Sequence, residues 1–202
     1  MSKLGDKLNF NSMKGEAAQS RQISQIIPPR SGVTFLQDQT IEFELPSNRG
    51  NEFLDVANSC KIKLPVTVLN TNAILDRGGA YSFIRSLQLT QNGVVISDVP
   101  RANLLITTLS DFQMSAEYKA SQGRVLEGME GDCLRGGFHN VGTRTYYVSL
   151  LTTNLCMSTP HRDLFLGSSA PIIVRLTLES RLTALKSADG THDYRVNRPE
   201  LH

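Results

Sequence analysis

Along much of the chain apolar residues fall at every second position, with polar or charged residues between them. In TIEFEL, Ile41, Phe43 and Leu45 alternate with Glu42 and Glu44. In CKIKLPVTVL, Cys60, Ile62, Leu64, Val66 and Val68 alternate with Lys61, Lys63 and Thr67. In APIIVRLTLE, Ile172, Val174, Leu176 and Leu178 share one side, and Ile173, Arg175, Thr177 and Glu179 share the other. A period of two is that of a strand with one face on a core. Pro65 falls in the outward set and has no N–H for a ladder, so it predicts an edge strand or a bulge.

The stretch GGAYSFIRSLQLTQNGVVISDV, residues 78 to 99, reads as a hairpin. Phe83, Arg85, Leu87 and Leu89 alternate along its first arm, VVIS begins its second, and Asn92-Gly93 supplies a turn whose residues both tolerate positive φ. The preceding DRGGA predicts a loop running into a short helical turn. DVPRANLLITTLSDFQMS predicts one helix, with Asp98 as its cap, Pro100 in its first turn and Leu104, Leu105, Leu109 and Phe112 as its apolar stripe. From Ser115 to Thr143 the chain is polar and glycine-rich, which predicts a long connecting loop. TRTYYVSLL resumes the strands. The fold class expected is all-β: a jelly-roll β-sandwich of about eight strands with one inserted helix and long loops.

Residues 1 to 30 stand apart. Lys3, Lys7, Lys14, Arg21 and Arg30 against Asp6 and Glu16 give 5 − 2 = +3, more than the net +2 of all 202 residues. This predicts a flexible basic N-terminal arm, with Leu4, Leu8, Phe10, Ile23, Ile26 and Ile27 scattered through it, suited to dock on a neighbouring subunit or face an anionic interior; a frayed terminus is the alternative. The jelly-roll domain is expected over 31 to 186. Residues 187 to 202 then form a C-terminal extension or the start of a second jelly roll.

Composition narrows the chemistry. A net charge of +2 announces no basic face. The longest apolar stretches fall well short of the roughly 20 residues a bilayer demands. The N-terminus lacks the apolar run of a signal peptide, so a cytosolic or nuclear site of synthesis is expected. Cys60, Cys133 and Cys156 are odd in number and widely spaced, which argues for buried thiols rather than a disulfide framework or a zinc knuckle. His161-Arg162-Asp163 matches the kinase catalytic-loop triplet, but the glycine-rich strand and Asp-Phe-Gly that give that triplet its meaning are missing. His192 and Asp193 read as a solvated surface pair, and Cys133 with His139 lacks an evident orienting third residue. The glycines at 128, 131, 136 and 137 lack the spacing of a phosphate cradle and read as loop flexibility. No enzyme, cofactor, metal or small-molecule substrate is expected.

The ordered series of segments resembles the hexon-like, double jelly-roll major capsid proteins of tailless DNA viruses. The stretches that carry the resemblance are NEFLDVANSCKIKLPVTV, the hairpin followed by NLLITTLSDFQ, and YYVSLLTTNLCMSTPHRDLFLGSSAPIIVRLTLE, together about 51 to 179. They are similar to the first, N-terminal jelly roll of that family. Val56 stands where the family often has Pro, and the chain stops at DYRVNRPELH, where a second jelly roll is expected to begin. That implies either part of a longer capsid protein or a capsomer built from separate single jelly rolls.

The resemblance implies a structural protein of an icosahedral virion capsid, assembled in the host cytoplasm or nucleus, whose capsomers are trimeric and pseudo-hexagonal. Its implied partners are copies of itself, other capsid proteins and, through the arm, the viral genome or an internal membrane. Lys3, Lys7, Lys14, Arg21 and Arg30 are the assembly residues this reading singles out. A non-enzymatic carbohydrate-binding or host-attachment jelly roll is the alternative; having no Trp counts against it, and Tyr146 and Tyr147 are the aromatics left to stack on a sugar.

Overall fold

The computed structural model describes residues 24–47, 53–54, 60–130, 136–149, 164–165, 170–187 and 190–202. In chain order its strands are β1 (Thr34–Leu36), β2 (Thr40–Glu44), β3 (Phe53–Leu54), β4 (Lys61–Leu69), β5 (Ala73–Leu75), β6 (Ile84–Gln91) and β7 (Val94–Val99). They continue as β8 (Phe138–His139), β9 (Gly142–Ser149), β10 (Leu164–Phe165), β11 (Ile172–Leu178), β12 (Leu185–Lys186), β13 (Asp193–Asn197) and β14 (Glu200–Leu201). A 3-10 helix spans Gly79–Phe83; α1 is Ala102–Gln113, α2 is Ala116–Tyr118 and runs into a π-helix at Lys119–Glu127, and α3 is Arg181–Ala184.

Nine of the strands make two antiparallel sheets. In one, β1 pairs with β13, β13 with β4 and β4 with β9, and β14 joins β4 beyond the end of β13. The other runs β2-β11-β6-β7. The chain crosses between the sheets after β1, β2, β4, β7, β9 and β11, which is the connectivity of a jelly roll. Small sheets of β12-β5-β8 and β10-β3 stand outside these two.

In TIEFEL, CKIKLPVTVL and APIIVRLTLE the predicted inward positions are the observed ones. Ile41, Phe43 and Leu45, the set Cys60 to Val68, and the set Ile172 to Leu178 are buried in one core with Tyr81, Phe83, Tyr146 and Tyr194. Each large apolar side chain so removed from water contributes about 1.5–3 kcal/mol. On the outer face of the second sheet Arg175 lies opposite Glu42 and bonds it at 2.7 Å. Asn92 and Gly93 both have positive φ, 51° and 77°, as a two-residue hairpin turn requires.

Several expectations are corrected. Pro65 is on neither an edge nor a bulge, since β4 is the central strand of its sheet. Lys61 exchanges backbone bonds with His202 at 2.9 and 2.8 Å, so alternate residues from 61 turn their backbone groups toward β13 and β14. Pro65 is one of them, and it falls where β13 leaves β4 at Val66 and before β14 pairs with Lys63. The missing N–H faces the gap between two partners.

On β6 the register with β11 slips by one residue, Thr177 facing Ser86 and Leu178 facing Ile84. Arg85 is left unpaired on β11, so Ile84 points inward, and Phe83 belongs to the 3-10 helix. Beyond this slip Glu179 is buried instead of outward: Asn103 Nδ2 and the Ser180 amide donate to its carboxylate at 2.9 Å, and Tyr194 Oη donates to its carbonyl.

The loop expected over Ser115 to Thr143 contains a second helical segment. Ser115 caps it, its hydroxyl accepting from the Tyr118 amide at 3.1 Å, and it runs through α2 and the π-helix to Gly128 at φ 65°. Gly128 and Gly136 are points of close approach rather than of flexibility: a Cβ on Gly128 would meet Tyr146 Cε1 at 2.7 Å, and one on Gly136 would meet the Asp76 carbonyl oxygen at 2.3 Å; Gly131 lies outside the described residues. Within 187 to 202, β13 lies between β1 and β4, and β14 pairs with β4 in the same sheet.

Candidate assembly surfaces

The helix predicted between β7 and the polar stretch is present, but its outward and inward faces are exchanged. Ala102, Ile106, Thr107 and Ser110 are buried, while Leu104 is 66% and Phe112 84% exposed. The physical reason is space. α1 packs on the start of the 3-10 helix so closely that a Cβ on Gly78 would meet Thr107 Oγ1 at 2.3 Å, so the face that carries Thr107 beside Ile106 turns inward and no larger side chain fits at 107. Thr107 and Ser110 turn their hydroxyls back to the Asn103 and Thr107 carbonyls at 2.7 and 2.8 Å. Their polar groups are thus satisfied within the helix. Arg101, not Asp98, precedes the first turn, and no side chain caps it. Leu104, Leu105 and Phe112 are left as an apolar ridge on the surface, spaced for one face of a helix.

Two charged clusters fix what lies around this ridge. Asp111 bonds Arg77 at 2.7 Å and the buried Lys119 at 2.8 Å, tying α1 to the loop after β5 and to the π-helix. Lys186 bonds Asp76 at 2.6 Å beside the cleft at the start of α1. Glu127, at the end of the π-helix, is buried and accepts from Tyr81 Oη at 3.0 Å and Tyr118 Oη at 3.5 Å. Burial pushes its carboxyl above the usual range, against the smaller opposing pull of the two hydroxyls and of Lys61.

Of the basic arm residues, Lys3, Lys7, Lys14 and Arg21 lie outside the described residues. Arg30 lies beside β2: its amide donates to the Glu42 carbonyl at 2.7 Å, and its guanidinium is 3.2 Å from Glu44. Just before it, Ile27 and Leu201 exchange backbone bonds at 2.8 and 2.9 Å, so residues 24 to 30 are laid against the sandwich rather than free of it.

The candidate chemistry resolves into structural roles. His192 is buried, not solvated, with Nδ1 at 2.6 Å from Ser187 Oγ and Nε2 at 3.1 Å from the Arg181 carbonyl oxygen. His139 is buried beside Tyr146, and desolvation lowers its basicity. Cys60 is a buried thiol whose pKa burial pushes up to about 12. Cys133, Cys156 and His161-Arg162-Asp163 lie outside the described residues. Among the described residues no cluster of His, Cys, Asp or Glu is placed to hold a metal ion. No helix among them is long and apolar enough to cross a membrane. Tyr146 is wholly buried, which removes it as a sugar-stacking aromatic.

No protein-family model matches the sequence, and no curated protein is significantly similar to it. Solved structures do match. The chain is similar to the major capsid protein of mavirus at 12% identity and a TM-score of 0.52, over 100% of this chain and 51% of that one. It is similar to the PBCV-1 virus capsid at 15% identity and a TM-score of 0.53, over 91% of this chain and 44% of that one. PBCV-1 VP54, as fitted into a reconstruction of the virophage Sputnik, matches at 15% identity with a TM-score of 0.52 and the same coverage. The chain thus spans about half the length of these proteins. At such identities the likeness is one of fold: this chain has the jelly-roll fold of viral capsid proteins.

Proposed function

We propose that this chain is a structural subunit of an icosahedral viral shell, acting by assembly with copies of itself and with other capsid proteins. The observation that carries the reading is the likeness over 91–100% of the chain to proteins that form capsids. The finer form of the proposal is a trimeric, pseudo-hexagonal capsomer in the virion, assembled in the host cytoplasm or nucleus. Two rigid sheets around one core, with an apolar helix ridge turned outward, suit a protein whose repeated interfaces close by symmetry.

The segment before Ser24, with Lys3, Lys7, Lys14 and Arg21, is proposed as the arm that reaches a neighbouring subunit, the genome or a membrane beneath the shell. Removing it is expected to leave the sandwich folded and to impair assembly. Electron microscopy of the purified full chain and of this truncation tests both parts. Closed particles or capsomers from the full chain support the reading, a full chain that forms no higher species opposes it, and normal particles from the truncation remove the arm from it.

A further inference from the structure

We infer that β7 is a pairing edge for β7 of a second copy, the two strands adding antiparallel about a twofold axis. The inference deepens the assembly reading above and rests on it.

β7 ends the β2-β11-β6-β7 sheet, and its first three residues are Val94, Val95 and Ile96, exposed at 66%, 51% and 46%. In an ordinary sandwich strand alternate residues are buried; here both sets lie open, so the hairpin tip stands beyond the core with apolar side chains on each face. Gln91 and Val94 flank the two-residue turn and pair across it. Such a pair exchanges both backbone bonds, which turns the N–H and C=O of Val95 away from β6. Of the devices that ordinarily blunt an edge, β7 has only a bulge, at Ile96, where Leu89 faces Ser97 and Thr90 faces Val95.

The other principal edges among the described residues are already managed. On β2 the Arg30 amide takes the Glu42 carbonyl, and Arg30 pairs with Glu44. β9 is overlaid by the π-helix, with Arg144 Nη2 donating to the Arg124 carbonyl at 3.0 Å. β1 is three residues long. β7, at six residues, is therefore the edge left for pairing, and the surface that complements it is its own. Charge agrees with self-pairing. Asp98 is the sole charged residue of β7. An antiparallel register centred on Val95 sets Asp98 opposite Asn92 and never opposite another Asp98, while Val95 meets Val95 and Val94 meets Ile96.

The test compares the full chain with its Val95→Lys variant by sedimentation velocity across a concentration series, with hydrogen exchange at the Val95 amide read on the associated wild type. Two lysines brought together across the axis are expected to weaken self-association about tenfold or more. Thermal unfolding should be unchanged, because Val95 is half exposed. The Val95 amide is expected to exchange slowly in the associated protein and rapidly when dilute. Wild-type-like association of Val95→Lys, or rapid exchange at Val95 in the associated protein, overturns β7 pairing and leaves the capsid reading standing. A wild type that never associates overturns both.

Discussion

Tyr81 Oη donates to Glu127 Oε1 at 3.0 Å and also accepts from the Ser149 amide at 3.1 Å, so one phenol joins the 3-10 helix, the π-helix and the end of β9. The helical excursion between α1 and β9 is held to the sandwich at this point, by a buried carboxyl group whose pKa desolvation raises. A carboxyl there favours its protonated form.

This gives stability a pH dependence of definite sign. The folded-state pKa of Glu127 is raised, so its contribution is fully present below the unfolded-state carboxyl value and is lost as pH rises through the raised value. Glu127→Gln keeps an acceptor for Tyr81 and removes the ionisation. Thermal unfolding followed from pH 5 to pH 8 should show the wild type losing stability relative to the variant as pH rises. Parallel curves contradict the assignment.

Phe83 packs on Tyr194 with ring centroids 4.8 Å apart and on Tyr146 at 6.2 Å, seating the end of the 3-10 helix, just before β6, against β13 and β9 in the core. Phe83→Ala is expected to cost about 3–5 kcal/mol, a large share of the stability of a domain this size. Urea denaturation read by circular dichroism measures it. A cost below about 1 kcal/mol would place Phe83 outside the main core.

Two glycines with positive φ should respond differently. At Gly93 a Cβ meets nothing within 4 Å, so Gly93→Ala carries only the backbone cost of about 1–2 kcal/mol. At Gly128 the same change adds a 2.7 Å approach to Tyr146, whose ring is fixed in the core. Gly128→Ala is therefore expected to be the more destabilising in the same denaturation series, and equal costs would contradict the packing described.

α1 offers a matched pair of substitutions. Ile106→Ala empties a fully buried site and should cost about 2–5 kcal/mol, whereas Phe112→Ser, at a position 84% exposed, should leave unfolding nearly unchanged. If the outward ridge is an assembly surface, Phe112→Ser should instead reduce the yield of capsomers. Light scattering of the variant tests this, and undiminished assembly removes the ridge from the interface.

These residues also show what was legible in the sequence. Strand faces were, because period two is a local property: Ile62, Leu64 and Val66, or Val174 and Leu176, need no knowledge of their neighbours to be placed inward. The Asn92-Gly93 turn was legible for the same reason. The orientation of α1 was not, because Leu104 and Phe112 promise a core stripe by hydropathy, while the close approach of Gly78 to Thr107 turns the face of Ala102, Ile106, Thr107 and Ser110 inward. The π-helix was hidden too. It is held by Lys119 to Asp111 and Glu127 to Tyr81, tertiary bonds that leave no periodic trace in KASQGRVLE. Pro65 announced an edge because the break between β13 and β14 is set some 130 residues away. Of the residues proposed for assembly, the sequence drew attention to the charged arm, whereas the exposed apolar residues of α1 and β7 emerge only once the core has been filled by others.

The most direct test of the central claim is the solution mass of the purified full chain, by light scattering over a range of ionic strength and concentration. A trimer or a larger closed multiple of 22.3 kDa is the result expected of a self-assembling capsid subunit. A monomer under every condition would contradict it.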